Sequence, residues 1–161
     1  MLALTGQELQ KWVDVTSRNW KKLIEAHPEI LGFACDIRET QTVAQTLQHI
    51  VAVELRYAER LNELPQTGYE KIPYDTAAEI YATHERAMEL LTPLLEREQE
   101  FWETPLEFPT RSLGTLRATR RTLLIHSLMH SIRHYAQLAT LVRTHGIKPG
   151  WEMDYLMMGL L

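Results

Sequence analysis

One stretch in the C-terminal part of the chain decides the fold prediction, and it reads His126-Ser-Leu-Met-His130-Ser-Ile-Arg-His134-Tyr-Ala-Gln137. Its histidines recur every four residues, a step that turns only about 40° around an α-helix. They therefore share one helical face, which Leu123, Leu138 and Leu141 flank on its apolar side. The spacing predicts a long helix whose histidine-bearing face is directed into a helical core.

Three further segments carry the same helical periodicity of apolar residues. With the first they cover about Thr5–His27, Thr42–Leu64, Asp75–Trp102 and Thr115–His145. Thr5, Thr42 and Thr76 begin Thr-x-x-Glu or Thr-x-x-Gln motifs, which predict capped helix starts. Pro93 predicts a kink or a break inside the third helix.

The connections between these segments show no sustained alternation of apolar and polar residues, so the predicted class is all-α. In the linker 103–114, only residues 106–108 are expected to be briefly extended. Four helices of this length predict an antiparallel four-helix bundle, with residues 1–161 forming a single domain. The tail from Pro149 to Leu161 is short and apolar, so we expect it to fold back on the bundle or to pack against another subunit.

The overall composition gives no reason to expect nucleic acid or a membrane as partner. The chain has 161 residues and a formal net charge of −4, and no stretch approaches the ~20 consecutive apolar residues of a membrane span. Cys35 is the single cysteine, which excludes an internal disulfide and fits a reducing compartment. With no signal-peptide pattern at the N-terminus, we expect a cytoplasmic location. We interpret the local basic run as the solvated start of the fourth helix; it comprises Arg111, Arg117, Arg120 and Arg121.

The histidine ladder, formed by His126, His130 and His134, has the spacing of a metal site that needs a further ligand from another helix. Neighbouring members can bind one ion, but His126 and His134 are ~12 Å apart along the helix axis, too far for metal–nitrogen bonds of ~2.0–2.1 Å. We predict His130 and His134 as the pair, because they lie near the middle of the helix with Gln137 on the same face, and His126 as the spare. His49, the only histidine inside the second helix, is the predicted third ligand. A set of neutral imidazoles favours Zn²⁺ or Ni²⁺ over Mg²⁺ or Ca²⁺.

Two further residues are candidates for a catalytic role. On the second helix Glu54 projects among apolar residues, where a carboxylate needs a partner. Glu54 or Gln137 could orient a histidine ligand or handle a proton. His27, His84 and His145 are interpreted as ordinary surface histidines or satisfied structural ones.

Other metal chemistries of helical bundles fit the sequence less well. No glutamate stands three residues before a histidine, so the Glu-x-x-His pair of the di-iron carboxylate proteins is missing. A hemerythrin-like centre needs more inward histidines than the four candidates here. The ladder also lacks the glutamate of a His-Glu-x-x-His protease motif. Haem ligation by histidine and methionine stays open, without a covalent attachment motif.

Two motifs resemble the DinB/YfiT-like superfamily of bacterial metalloenzymes. The first is His49 followed five residues later by Glu54, and the second is His130-Ser-Ile-Arg-His134-Tyr-Ala-Gln137-Leu138. The stretch from Leu106 to His134, with Phe108, Arg111 and Gly114 before the helix, is similar as well. The resemblance implies an up-down-down-up four-helix bundle, frequent homodimers, and a Zn²⁺ or Ni²⁺ site on His49, His130 and His134.

The resemblance also implies a small-molecule substrate and a low-molecular-weight thiol, since relatives include thiol S-transferases and mycothiol-dependent maleylpyruvate isomerases. One departure limits it: many relatives read His-Arg-Gly-Gln at the last ligand, whereas this chain reads His134-Tyr135-Ala136-Gln137 and carries its arginine at Arg133. Substrate contacts therefore do not transfer. A metal-dependent thiol-using transferase or isomerase is the leading hypothesis. The alternatives are a metal-binding or stress-response bundle without turnover, and a helical dimerisation module with an incidental histidine cluster.

Overall fold

The structure is a computed structural model that describes residues 4–110 and 114–160. Arg111 of the basic run and Leu161 of the tail lie outside these ranges. The described chain is mostly helical, as predicted, with helices α1 (Gly6–Ala26), α2 (Val43–Leu61), α3 (Ala77–Leu91), α4 (Gln99–Glu103) and α5 (Arg120–Thr144) and a sheet formed by β1 (Pro105–Pro109) and β2 (Thr115–Thr119).

The caps predicted from the sequence begin the first three helices. Thr5 accepts a hydrogen bond from the Glu8 backbone N–H, and the Glu8 carboxylate accepts from the Thr5 backbone N–H. Thr76 and Glu79 form the same reciprocal pair on α3. At α2, Thr42 accepts from the backbone N–H of Gln45, so each of these helices starts at the residue after its threonine.

The third predicted helix ends earlier than expected. It stops at Leu91, a 3-10 turn covers Thr92–Glu96 around Pro93, and the short α4 follows separately. Proline removes a backbone donor and clashes with the preceding turn, so the α-helix ends two residues before it.

The fourth predicted helix begins later than expected, at Arg120 rather than Thr115. Residues Thr115–Thr119 instead pair antiparallel with Pro105–Pro109, with Leu106 opposite Ala118. The brief extension expected at residues 106–108 is confirmed, but the helix predicted for residues 115–119 was wrong. The described chain is otherwise mostly helical, in keeping with the predicted all-α class. The pairing buries Phe108 beneath the Arg60 guanidinium, 4.6 Å from the ring centroid. Arg120 is buried too, with its guanidinium paired to Glu63, which corrects its interpretation as a solvated residue.

The four long helices share one interior. α2 packs against α3 and α5, and α1 packs against the same two helices. The up-down-down-up order of their directions stays a prediction. Among the helices within the described ranges, none combines the length and the apolar character needed to cross a bilayer.

A layer of buried polar residues divides the interior into two apolar clusters. One cluster contains Trp20, Tyr81 and Tyr135, and the other contains Leu61 and Leu128. In the layer between these two clusters, every long helix contributes buried polar side chains, namely Thr16 and Ser17 on α1, Glu54 on α2, His84 on α3 and Ser131 on α5. Since buried polar groups need hydrogen-bond partners, this layer is where the bundle concentrates its buried polar contacts.

The first part of the apolar tail folds back on α1. Trp151 packs edge-on against Trp20, with 5.8 Å between ring centroids, and the Trp12 indole N–H donates to the Met153 carbonyl over 2.9 Å. Leu156 and Leu160 remain 72% and 63% exposed. Tyr155 packs edge-on against Trp12, with 5.4 Å between ring centroids. Of the two arrangements expected from the sequence, the structure therefore shows folding back as far as Tyr155.

Candidate metal centre

The predicted three histidines converge on one point between two helices. His130 and His134 stand one turn apart on α5, and His49 faces them from α2. Nε2 of His130 is 2.9 Å from Nε2 of His49 and 3.1 Å from Nε2 of His134. The three ligand atoms all lie within 4.8 Å of one another. Nitrogens bound tetrahedrally to one zinc ion stand ~3.3 Å apart, so the cluster needs little adjustment to hold an ion.

The second ring nitrogens of two of these histidines have partners that direct Nε2 to the centre. Nδ1 of His134 donates to Oε1 of Gln137 over 2.7 Å. Nδ1 of His49 lies 3.3 Å from the Tyr69 hydroxyl. Because Oε1 of Gln137 can only accept, it fixes the His134 tautomer whose Nε2 carries a lone pair, the state in which histidine binds a metal ion. The Tyr69 hydroxyl can accept from Nδ1 of His49 in the same way.

Burial and mutual repulsion keep the α5 histidines uncharged. Burial lowers the pKa of His130 to about 2, with further lowering by His49, His134, Arg133 and His126. Burial also lowers the pKa of His134, against the opposing effect of its hydrogen bond to Gln137. A proton on Nε2 of His130 can point at only one of its two neighbours, whereas a cation attracts all three lone pairs at once. The residues present therefore fit a divalent ion.

Gln137 holds His134 from the exposed end of the site, and its loss is expected to weaken metal binding. In Gln137→Leu the imidazole loses the acceptor that fixes its tautomer and ring orientation. Removing such a partner lowers metal affinity roughly ten- to a hundredfold. Competition with a chromophoric chelator measures this effect. Gln137→Glu, which keeps an acceptor at this position, should retain the affinity, and equal affinity in Gln137→Leu would contradict the orienting role.

Glu54 is buried as predicted, but its hydrogen bonds go to a histidine outside the metal cluster. The residue is 0% exposed. Oε2 accepts from Nδ1 of His84 and Oε1 accepts from the Ser131 hydroxyl, both over 2.7 Å. Ser131 directly follows His130 on α5. Glu54 thus ties α3 and α5 to α2 next to the candidate ligands.

His84 is a satisfied structural histidine, one of the two interpretations made from the sequence, but sequence reasoning missed the partners that satisfy it. Its side chain is buried, with Nδ1 bonded to Glu54 and Nε2 3.3 Å from Oδ1 of Asp14 on α1. Burial lowers the pKa of His84, but the Glu54 charge, the hydrogen bonds and Asp14 outweigh it and raise the pKa to about 9. A signal was present in the sequence, because His84 continues the apolar stripe of Ala77, Ile80, Tyr81, Ala87, Met88 and Leu91.

Because the pKa of His84 is raised, we expect the protein to lose stability at alkaline pH. The folded value of about 9 exceeds the ordinary value of 6.5, so the protonated form is favoured by folding. Its contribution is fully present below about pH 6.5 and is lost as pH rises through about 9, by roughly 3 kcal/mol. Urea unfolding of metal-free protein across this range measures the loss. The His84→Gln variant should show a flatter profile, and parallel profiles would refute this account.

The remaining candidates lie outside the cluster. His126 is exposed, with its ring centroid 5.8 Å from that of His130, and it is not one of the three converging ligands. Cys35 is buried, and its Sγ lies 3.2 Å from the Thr46 hydroxyl.

Fold and site together define a helical bundle with a three-histidine centre suited to a divalent ion. The family model for the DinB family matches residues 1–158. The chain therefore belongs to the DinB family. No curated protein matches it.

Proposed function

We propose that this DinB-family protein is a metal-dependent enzyme that uses a low-molecular-weight thiol to attack a small electrophile. The observation that carries the proposal is the convergence of three Nε2 atoms with no fourth protein ligand in the cluster among the described residues. Three protein ligands with an open position characterise catalytic rather than structural zinc sites. His49 is half-buried and Gln137 is exposed, so the site borders the surface.

The chain's own residues would hold and orient the reactants. A divalent ion bound here would lower the pKa of a thiol, which supplies the nucleophile. His49, His130 and His134 provide neutral ligands, and Gln137 and Tyr69 fix two of the rings. Glu54 is proposed as a positioning residue that acts through Ser131 on α5. Cys35 cannot serve as the nucleophile because it is buried beside Thr46 outside the site, so the thiol would come from solution.

The metal we propose is Zn²⁺ or Ni²⁺, because borderline imidazole ligands suit these ions. The free thiol of Cys35 is compatible with the reducing cytoplasm, which we propose as the location.

Metal analysis of protein purified without a histidine tag tests the proposal first. We expect about one Zn²⁺ or Ni²⁺ ion per chain, since three ligands converge on one point. Loaded protein is then assayed with a panel of thiols and electrophiles, with the chelator-treated protein as control. Absence of a near-stoichiometric ion would refute every metal-based function. A bound ion without turnover would favour the alternative of a non-catalytic metal-binding or stress-response protein.

We also propose that the protein is a homodimer that buries the exposed end of its tail. Leu156 and Leu160 protrude beyond the part that folds back on α1. The variant Leu156→Glu/Leu160→Glu should shift the protein from dimer to monomer in sedimentation experiments, because charges in an apolar interface are costly. Leu64→Glu, at a residue 44% exposed elsewhere on the surface, is the control. An unchanged mass in the tail variant would contradict this interface.

A further inference from the structure

One guanidinium group contacts the three-histidine cluster, and the charge of a second acts on it. Nη2 of Arg133 lies 3.3 Å from Nε2 of His134. Arg38 is near enough that its positive charge, like that of Arg133, acts on His134. Both side chains are exposed, and neither forms an ion pair within residues 4–110 and 114–160. Two unneutralised cationic groups at a cation-binding site are unfavourable unless an anion joins them.

The backbone at Arg38 is held in an unfavourable conformation. Arg38 has φ 55 and ψ 38, and Glu39 follows with φ 63. Residues with a side chain seldom adopt this left-handed region, and where the surrounding structure enforces it the reason is often functional. Here the Thr40 hydroxyl donates to the Ile37 carbonyl over 2.6 Å, and Ala34 pairs with Thr42. The turn that carries Arg38 is therefore fixed from both sides.

The ligand set itself supplies no negative charge. The cluster consists of His49, His130 and His134, and within the described residues no carboxylate joins it. Both oxygens of Glu54 are already bonded to His84 and Ser131. An ion on three neutral imidazoles keeps its full charge, which adds to the charges of the two arginines.

Arg133 also changes its role when an ion binds. Its N–H can donate to Nε2 of His134 only while that nitrogen has a free lone pair. Binding of a cation takes the lone pair and releases the donor at the edge of the site. A released guanidinium presents parallel N–H groups that match the two oxygens of a carboxylate.

We propose that the open position of this centre takes a small molecule that carries a carboxylate, held by Arg133 and Arg38. The inference rests on the proposed metal-dependent function and names the class of its substrate. A carboxylate on the thiol or on the electrophile would satisfy the same two side chains. In either case the arginines determine specificity, while the ion and its histidine ligands do not distinguish charged from neutral molecules.

Ligand titration of the full-length Co²⁺-loaded protein tests the proposal without an activity assay. 3-Mercaptopropionate and 2-mercaptoethanol, thiols with and without a carboxylate, are titrated while the visible absorption is followed. We expect the carboxylate thiol to bind about tenfold more tightly or better, as for a hydrogen bond to a charged group. The preference should disappear in Arg133→Gln and decrease in Arg38→Gln. Arg143→Gln removes a charge from the same helix about 15 Å away and should keep the preference.

Titration with succinate, a carboxylate without a thiol, shows whether the recognised carboxylate belongs to the electrophile or to the thiol. Displacement of 2-mercaptoethanol by succinate in wild type but not in Arg133→Gln supports recognition of a carboxylate on the electrophile. Succinate without effect, together with selective 3-mercaptopropionate binding, supports a carboxylate on the thiol.

A second readout uses the metal alone. Arg133→Gln should bind Zn²⁺ about tenfold more tightly than wild type, because a cation near the ion is removed.

The failures of the two proposals are distinguishable. Stoichiometric metal binding with equal affinity for both thiols, or with a preference that survives in Arg133→Gln, would overturn the carboxylate proposal and leave the metal function standing. A wild-type protein that binds no Co²⁺ or Zn²⁺ would overturn both.

Discussion

The variant His130→Ala is expected to lose stoichiometric metal binding. His130 is the middle ligand, with its Nε2 within 3.1 Å of both other nitrogens, and its loss leaves His49 and His134 without a shared neighbour. A structural zinc site contributes ~10–16 kcal/mol over four ligands, so each ligand accounts for roughly 3 kcal/mol, or more than a hundredfold in affinity. Chelator competition and metal analysis after gel filtration measure the loss.

The matched control is His126→Ala, one turn earlier on the same helix. It removes an imidazole next to the site, with a ring centroid 5.8 Å from that of His130, but no converging nitrogen. Circular dichroism should show both variants folded, because Nδ1 of His130 is buried without a hydrogen-bond partner among the described residues and its Nε2 contacts the other two candidate ligands, at a site that borders the surface. Full metal occupancy in His130→Ala, or equal losses in both variants, would contradict the assignment of ligands.

The variant Glu54→Leu is expected to destabilise the fold by about 3–5 kcal/mol, because removing one partner of a buried ion pair leaves the other uncompensated. The carboxylate is 0% exposed and bonds His84 and Ser131 over 2.7 Å each. Leucine has a similar volume but leaves Nδ1 of His84 without its acceptor, whereas the Ser131 hydroxyl keeps the Ser127 carbonyl as an acceptor over 3.2 Å. Urea unfolding of chelator-treated protein at neutral pH measures the change.

A double-mutant cycle with His84→Leu separates the pair from its surroundings. If the two groups stabilise each other, the double variant should lose clearly less free energy of unfolding than the two single variants lose together. Glu85→Leu, at a side chain on α3 that is 63% exposed, should change stability little. Additive effects of Glu54→Leu and His84→Leu would show that the 2.7 Å contact carries no coupling. Metal occupancy of folded Glu54→Leu protein distinguishes a positioning role from a purely structural one.

The hairpin shows why the sequence predicts some elements and misses others. The caps at Thr5 and Thr76 join residues three apart, so their sequence pattern contains the whole interaction. Strand β2 has no such local pattern: Thr115–Thr119 becomes extended because it pairs with Pro105–Pro109 across the linker. A two-stranded pairing depends on a partner that periodicity within one segment does not reveal.

The metal cluster and the polar layer differ in the same way. Spacing on α5 limits its ligands to one neighbouring pair of histidines, and the position of Gln137 favours His130 and His134 over His126 and His130. Glu54 was predicted to be buried because its helix places it among apolar residues, but its partner lies on another helix. Packing of α3 against α2 brought His84 to that carboxylate.

The sequence by itself determined the main helical segments, the threonine caps, a neighbouring pair of histidine ligands on the last helix and the need for a ligand from a second helix, because each follows from the geometry of a single helix. Tertiary structure alone decided that His84 bonds Glu54, that residues 115–119 form a strand with residues 105–109, and that the charge of Arg38 acts on His134. These relations join residues far apart in the chain. Only the packing of whole helices and loops sets such distances, and a local pattern carries no information about them.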